Sequence, residues 1–363
     1  MRNIGLDLMR LLAVVLVLGR HILPANHGNE IVQYWHTGGW IGVDMFFVLS
    51  GFLVSGLLFD EYNRKKCIDL RKFSVRRLFK LYPPLLLLIA ATSFVALAGG
   101  DRIRLRQTLS ELLFFQNYGG ALWNHTWSLA VEVHFYAFLV LIIYLCATSS
   151  KRGNPFTKIP SLFLIVAASC LLIRWGLAYG LHVTDHKWLM FGTHVRIDSL
   201  MFGVFLGYLW HFRDLRKRTS YIPTWLLITC GCILLLPAFL FDHEHYLIMK
   251  VVGFTLLYVG SGALLLAFLR VPMSNSGALA ALAVLGGASY SIYLWHMPVN
   301  WWLWPWFSGW VGISHTTHFG LYLLFYVTLS LAVGFWLNKA VELPSIRLRE
   351  RLFPSNLAPG LKN

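Results

Sequence analysis

Long apolar runs recur through the whole sequence and limit what this chain can fold into. Each is close to the length of about 20 residues that a helix needs to cross about 30 Å of hydrocarbon. The sequence therefore predicts an all-α fold, a polytopic membrane helix bundle of about ten transmembrane helices. The ten runs cover residues 5–24, 39–60, 81–99, 126–147, 160–180, 196–211, 222–241, 247–269, 278–299 and 318–340.

The composition agrees with a membrane protein. Hydrophobic residues make up 57% of the 363 positions and charged residues only 13%, which leaves too little polar surface for a soluble globule of this length. The formal charge of +15 does not indicate a nucleic-acid partner, because the basic residues lie between the apolar runs rather than in one patch. We expect membrane lipids to surround the protein instead.

The placement of the basic residues predicts an orientation. With the N-terminus in the cytoplasm, the clusters at 64–80 and 213–218 and the tail at 347–362 all fall on the cytoplasmic side. The opposite loops contain few basic residues, mainly between 102 and 106. Because Lys and Arg are enriched in cytoplasmic loops, this pattern predicts that both termini lie inside.

The domain organisation is predicted to be simple. We find no internal repeat or linker, so residues 1–345 are interpreted as a single membrane domain and residues 346–363 as a short basic cytoplasmic tail. A tail this short leads us to expect no fused extracellular domain. Charges interrupt the first apolar run, which argues against a cleaved signal peptide.

The first apolar run contains ionisable residues that lie on one face of a helix. Arg10 and His21 are eleven residues apart, close to three whole turns. Asp7 joins this face and can pair with Arg10. Ionisable groups in hydrocarbon cost several kcal/mol unless they are paired or hydrated, so this face is expected to meet a polar cavity or polar partners. The alternative is a structural Asp7–Arg10 pair and an interfacial His21.

A second polar stripe lies in the fourth apolar run. Glu132 comes one turn after Ser128 and one turn before Tyr136, so the three side chains share a face. A glutamate on one helix and a histidine on another at similar depth could together supply an oriented general base.

Several sequence blocks carry a resemblance to a known family. Together they span almost the whole chain and occur in the family's order, which makes chance similarity improbable. The chain resembles the bacterial membrane acyltransferase-3 family. The blocks are RLLAVVLVLGRH (10–21), GVDMFFVLSGFLVSGLL (42–58), FSVRRLFKLYPP (73–84), WSLAVEVHFY (127–136), RIDSLMFGVFLGY (196–208), GGASYSIYLWHMPV (286–299) and VELPS (341–345).

The resemblance implies an O-acyltransferase of the bacterial cytoplasmic (inner) membrane. Such an enzyme takes an acyl group, usually acetyl, from a cytoplasmic acyl-coenzyme A and passes it to a sugar hydroxyl of a cell-surface or exported glycan. The expected partners are acetyl-CoA as donor, a glycan or lipid-linked glycan as acceptor, such as lipopolysaccharide or exopolysaccharide, and glycan-assembly proteins. No metal is expected.

The resemblance also implies site residues. His21 would act as general base, or as a transient acyl carrier, with Glu132 assisting it and Arg10 extending positive charge into the bundle. The phosphates of coenzyme A would bind the basic end of the third run. The residues expected there are Arg71, Arg76, Arg77, Lys80 and Tyr82. The residues expected to contact the acceptor are Asp44, Trp127, Arg196, Asp198, Tyr293 and His296.

Simpler roles stay open for several of these residues. The basic cluster would also anchor the protein on anionic lipid. Arg196 and Asp198 would also form a pair at the start of a helix, and His296 would also serve as an interfacial residue bonded to a loop. Three positions depart from the family pattern, because Val133 and His134 stand where a second acidic residue and a glutamine are common, and Lys80 replaces an arginine.

A transport function is the main alternative. Stripes with Arg, His and Glu also build proton relays, so a proton-coupled transporter or flippase would use Arg10, His21 and Glu132 differently. Transporters often contain inverted repeats and paired broken helices, and the sequence contains neither pattern. We therefore favour the acyltransferase interpretation.

Overall fold

The computed structural model describes residues 3–23, 29–149, 154–183, 185, 187–271 and 277–354. Every regular element within these ranges is helical, which confirms the predicted all-α class. The α-helices are α1 (Ile4–Arg20), α2 (Glu30–Gly38), α3 (Ile41–Lys65), α4 (Leu70–Ala98), α5 (Leu105–Leu112), α6 (Gln116–Gly119), α7 (Trp127–Ser149), α8 (Ile159–Trp175), α9 (Ile197–Phe212), α10 (Leu215–Thr219), α11 (Thr224–Leu235), α12 (Pro237–Leu240), α13 (Phe254–Phe268), α14 (Gly277–Gly287), α15 (Ser289–Pro298), α16 (Trp304–Val311), α17 (Phe319–Leu337) and α18 (Leu343–Leu352).

Short 3-10 and π segments join or extend these helices. Five of the segments within the described ranges are π-helical, a geometry that shifts the side-chain register and is frequent at functional sites. The 3-10 segments are Asn124–Thr126, Pro155–Lys158 and Thr193–Val195, and the π segments are Gly176–Gly180, Lys187–Phe191, Met249–Gly253, Val299–Leu303 and Asn338–Glu342.

Fewer helices than the ten predicted spans meet a membrane-spanning length and hydropathy. In the part of the chain that the structure describes, six do so, or seven if the bent pair Gly277–Gly287 and Ser289–Val311 counts as one span. That pair turns by 64°, a bend within the predicted apolar run 278–299. α1 has only 17 residues and α9 only 16, so each is shorter than the hydrocarbon thickness. The chain is a multi-pass membrane protein, and the count of ten and the orientation stay predictions.

The helices form two compact units. The first unit contains Met1–Gly42, Val75–Ile103 and Phe268–Asn363, and the second contains Val43–Ser74 and Arg104–Ala267. The prediction of a single domain over 1–345, with a basic tail at 346–363, stays a prediction. Half of that tail, residues 355–363, lies outside the described residues.

Close contacts at glycine bring helices of the first unit together. A Cβ added at Gly286 of α14 would lie 1.8 Å from the carbonyl oxygen of Asp7 in α1, and one at Gly19 would lie 1.9 Å from the ring of Trp35. Small residues allow this approach in membrane bundles, where packing drives helix association. Trp35 also donates from Nε1 to the carbonyl of Val15 at 3.0 Å, which fixes α2 against α1.

The proline pair in α4 explains another packing contact of the first unit. Pro83 has no N–H to donate to the carbonyl of Phe79 one turn earlier. The Ser345 hydroxyl of α18 donates to that carbonyl at 2.7 Å, and the Tyr290 hydroxyl of α15 donates to the carbonyl of Leu81 at 2.7 Å. The first bond occupies the carbonyl that Pro83 leaves without its helix partner, and both bonds attach other helices of the first unit to α4.

The second unit has a comparable close contact between α3 and α9. A Cβ added at Gly51 would lie 2.0 Å from the carbonyl oxygen of Leu200, and one at Gly203 would lie 2.2 Å from that of Val48. Since backbone atoms cannot move aside as a flexible side chain can, these positions require glycine. The contact holds α3 and α9 together in the unit that contains Glu132.

We expect Gly203→Ala to destabilise the protein by at least about 2 kcal/mol, because the added methyl group forces α3 and α9 apart. Thermal unfolding in one detergent measures the effect. Gly176→Ala is the matched control, because a Cβ at Gly176 meets no atom within 4 Å. Equal stability of the two variants would contradict the packing argument.

Candidate functional site

His21 lies at the end of α1, in a cluster with other polar side chains of the first unit. It is the residue directly after Arg20 and is half-buried. Its Nδ1 is 3.0 Å from the carbonyl oxygen of Val17 and 3.3 Å from Nε2 of His296. The two imidazole ring centres are 4.9 Å apart. The structure thus brings together two histidines to which the sequence interpretation gave separate roles.

His296 is held from the opposite side of its ring. The side chain is fully buried, and its Nδ1 lies 2.6 Å from the carbonyl oxygen of Tyr293. The ring of Tyr293 is also near, with 5.8 Å between ring centres. This buried position differs from the interfacial one that the sequence left open for His296.

Two residues of this cluster were missed in the sequence. Asn300 donates from Nδ2 to the carbonyl oxygen of His21 at 2.7 Å, and its Oδ1 accepts from the Tyr322 hydroxyl at 3.0 Å. The same Tyr322 oxygen accepts from the N–H of Leu23 at 2.8 Å. The signal in the sequence for Asn300 was a polar residue within an apolar run, two residues after Pro298. There the π segment Val299–Leu303 changes which helix face the side chains occupy.

The predicted Asp7–Arg10 pair is confirmed. Nη1 of Arg10 donates to Oδ1 of Asp7. Asp7 is buried, whereas 27% of the Arg10 side chain is exposed. A carboxylate in the first turn also interacts favourably with the positive end of the helix dipole. This pair makes burial of Asp7 tolerable, and a catalytic role for Arg10 stays a prediction.

Glu132 lies in the second unit with two hydroxyl partners. Its Oε1 accepts from Ser50 of α3 and from Tyr136 one turn later on α7. The two hydroxyl oxygens are themselves 2.9 Å apart. The bond from Tyr136 confirms that Glu132 and Tyr136 share a face of α7. Ser128, the third residue of the predicted stripe, donates to the carbonyl oxygen of His125 instead. Ser50 was missed in the sequence. Since His21 belongs to the other unit, their direct pairing stays a prediction.

Asp44, Arg196 and Asp198, three of the predicted acceptor residues, belong to a buried ionic network. Nη2 of Arg196 donates to Oδ1 of Asp44 at 2.8 Å. Nη2 of Arg174 and Oδ2 of Asp198 form an ion pair at 2.9 Å, although their angles fall outside hydrogen-bond geometry. All four side chains are at most 1% exposed. Arg196 and Asp198 therefore each pair with another helix rather than with each other.

Aromatic rings surround the guanidinium of Arg196. Its carbon lies 3.8 Å from the ring centre of Phe254 and 5.5 Å from that of Trp127. Trp127 also stacks on Phe191, with ring centres 4.8 Å apart. These contacts lower the cost of burying the cation. They give Asp44, Trp127, Arg196 and Asp198 a structural function, and acceptor contact by them stays a prediction.

The predicted donor residues lie on the first turns of α4. Arg71 is exposed, and Arg76, Arg77, Lys80 and Tyr82 are half-buried. The sequence missed Arg349 of α18, whose charge interacts with those of Arg76 and Arg77. Within the described residues, the Nε atoms of Arg76 and Arg349 are buried and make no hydrogen bond.

Glu111 is a further buried carboxyl that was missed. Its Oε1 accepts from the Thr126 hydroxyl at 2.7 Å and from the N–H of Leu122 at 3.2 Å. Burial raises the pKa of Glu111 to about 7, although these hydrogen bonds act in the opposite direction. The contacts fix the loop that leads into α7, the helix that contains Glu132.

Known proteins are similar to this chain over most of its length. A family model described as "Acyltransferase domain" matches residues 3–339. The chain is similar to "Putative O-acetyltransferase SACOL0978" of Staphylococcus aureus strain COL, with 30% identity over 326 residues that cover 81% of this chain. It is also similar to "O-acetyltransferase OatA" of S. aureus strain NCTC 8325, with 28% identity over 321 residues and the same 81% coverage. The matches cover 50% of each relative, so the chain spans about half of their length. No solved structure matches.

We expect Arg174→Met to destabilise the protein by about 3–5 kcal/mol, because it leaves the Asp198 carboxylate buried without its cation. The double variant Arg174→Met/Asp198→Leu should lose less than the sum of the two single losses. Thermal unfolding of the four proteins in one detergent measures this coupling. Lys65→Met, which breaks the exposed pair with Glu61, should have little effect. Additive losses for Arg174 and Asp198 would contradict the network.

Proposed function

Because this chain belongs to the membrane acyltransferase-3 family, we propose that it is an O-acyltransferase that moves an acyl group from a cytoplasmic acyl-CoA to a sugar hydroxyl. The observation that carries the proposal is the hydrogen-bonded position of His21, with its Nδ1 fixed by Val17 and His296. Acetyl is the favoured group, since both relatives are named O-acetyltransferases. The acceptor is a cell-surface or exported glycan.

The proposed reaction uses His21 as general base. Its imidazole takes the proton of the acceptor hydroxyl while that oxygen attacks the thioester carbonyl. The tetrahedral intermediate then collapses with cleavage of the carbon–sulfur bond. Coenzyme A leaves as a thiolate and takes the proton from the imidazolium, which returns His21 to its neutral form. In the variant route, His21 carries the acyl group briefly before transfer.

Glu132 assists in this proposal as a carboxylate with a fixed orientation. Its two hydroxyl donors, Ser50 and Tyr136, hold Oε1 in place without neutralising its charge. A carboxylate near an imidazolium stabilises the charge that forms during proton transfer. Arg10, partly exposed beside Asp7, extends positive charge along α1 toward the donor.

The donor is proposed to bind at the basic start of α4. Arg349 already donates to Glu350, but its charge and those of Arg76 and Arg77 repel one another, which favours an anion beside them. The diphosphate and phosphate groups of coenzyme A supply such charge, and guanidinium groups bind phosphate oxygens in pairs. Arg71, Lys80 and Tyr82 lie on the same helix and complete the proposed site.

The donor site is proposed to lie in the cytoplasm. Both termini are proposed to lie on the same side, and the chain is proposed to cross a bacterial inner membrane about ten times. Tyr293 and His296, next to His21, are the residues favoured for the acceptor side. A lipid-linked glycan and glycan-assembly proteins are the proposed partners.

Purified protein in lipid should transfer radiolabelled acetyl from acetyl-CoA to cell-envelope glycan. We expect His21→Ala to lose activity by at least about 100-fold, because general base catalysis contributes roughly that much. Glu132→Gln should lose less, since Ser50 and Tyr136 can still bond to the amide. If folded protein neither bound nor turned over acyl-CoA, the donor assignment would fail and the transporter alternative would be favoured.

Arg76→Gln and Arg349→Gln should each raise the KM for acetyl-CoA by about 10- to 100-fold, the value of one charged hydrogen bond. The value of kcat should change little, because these residues bind the donor far along its length from the thioester. Steady-state kinetics measure both constants. Arg64→Gln is the matched control, because Arg64 is exposed and bonds to its own helix through Nε. An unchanged KM in both variants would favour the lipid-anchor role.

A further inference from the structure

The contacts of His296 assign the position of its ring proton. A carbonyl oxygen can only accept a hydrogen bond. Nδ1 of His296 faces the carbonyl oxygen of Tyr293 at 2.6 Å, so Nδ1 carries the proton. In the neutral ring Nε2 is then an acceptor.

The same reasoning assigns the proton of His21. Its Nδ1 faces two acceptors, the carbonyl oxygen of Val17 at 3.0 Å and Nε2 of His296 at 3.3 Å. Nδ1 therefore carries the proton and donates to both. The lone pair of the neutral ring is then on Nε2, the nitrogen on the other side of the ring.

We propose that His296 is a positioning residue, which holds the proton of His21 on Nδ1 and leaves Nε2 as the atom that takes the proton of the acceptor hydroxyl. This inference rests on the proposed function, because it takes His21 as the base. In this inference His296 orients the catalytic base, whereas the sequence interpretation placed it among the residues that contact the acceptor.

The bond between the two histidines is stronger in the transition state than before it. As His21 takes the proton on Nε2 it becomes an imidazolium, and its Nδ1–H becomes a charged donor to His296. Charged donors form hydrogen bonds about twice as strong as neutral ones. An interaction that strengthens as the reaction proceeds raises kcat rather than substrate affinity.

The surroundings of His296 suit this function. The ring is fully buried, and its Nδ1–H is already bonded to the carbonyl of Tyr293, which keeps Nε2 as the acceptor. Asn300 and Tyr322 fix the backbone of His21 and of Leu23. The imidazole of His21 therefore has restricted freedom to turn away from His296.

Two substitutions of similar size distinguish a hydrogen-bond acceptor at position 296 from a side chain that only packs there. Gln at position 296 keeps an oxygen that can accept from His21, whereas Met has no good acceptor. We expect His296→Met to lower kcat by about 10- to 100-fold, with both KM values nearly unchanged. His296→Gln should recover most of this loss. His318→Met, which replaces an exposed histidine of the same unit, is the matched control.

Nitrogen-15 NMR of the histidine-labelled protein tests the tautomer directly. The signals of His21 are identified by their absence in His21→Ala. Above the titration of His21, we expect a protonated Nδ1 and an unprotonated Nε2 in the wild type. A proton on Nε2 of the wild type would overturn the inference.

Kinetics give further outcomes that would overturn it. These are an unchanged kcat in His296→Met, an equal loss in His296→Gln, and a change confined to the acceptor KM, which would indicate substrate contact instead. Failure of the proposed function is seen separately, either as wild-type protein that transfers no acyl group or as His21→Ala that keeps full activity. Thermal unfolding of each variant excludes loss of folded protein as the cause.

Discussion

Burial of ionisable side chains among apolar helices is the constraint on which the rest of this structure depends. A lone charge in such surroundings costs several kcal/mol, so each buried ion needs a partner of opposite charge or strong hydrogen bonds. Asp7 pairs with Arg10 within one helix. Asp44 pairs with Arg196, and Arg174 with Asp198, between helices. The last two pairs join specific helices of the second unit, because separating them would leave a charge uncompensated.

Close backbone packing is the second requirement for these polar contacts. Gly51 and Gly203 let α3 and α9 approach closely, and this approach accompanies the bond between Asp44 of α3 and Arg196 at the start of α9. In the first unit the interrupted hydrogen bonding at Pro83 is compensated by Ser345. Sequence features that look like helix breakers therefore serve as contact points between helices.

Contacts within one helix could be predicted from the sequence, and contacts between helices could not. The pairing of Asp7 with Arg10 and of Glu132 with Tyr136 follows from spacings of three and four residues. Ser50 lies 82 residues from Glu132, and Asn300 lies 279 from His21, so no spacing rule relates them. The bend in the ninth apolar run was missed for a related reason, because hydropathy records apolar length and not the 64° turn between Gly277–Gly287 and Ser289–Val311.

The buried carboxylates of the second unit differ in the type of partner that holds them. Asp44 and Asp198 each have an arginine partner, which fixes the carboxylate against another helix. Glu132 accepts instead from two neutral hydroxyls, which orient the group but leave its charge uncompensated. His21 is held in the same manner, by a carbonyl oxygen and a neutral ring. Neutral hydrogen-bond partners thus keep both groups in place without an ion pair, which is the arrangement that the proposed proton transfer requires.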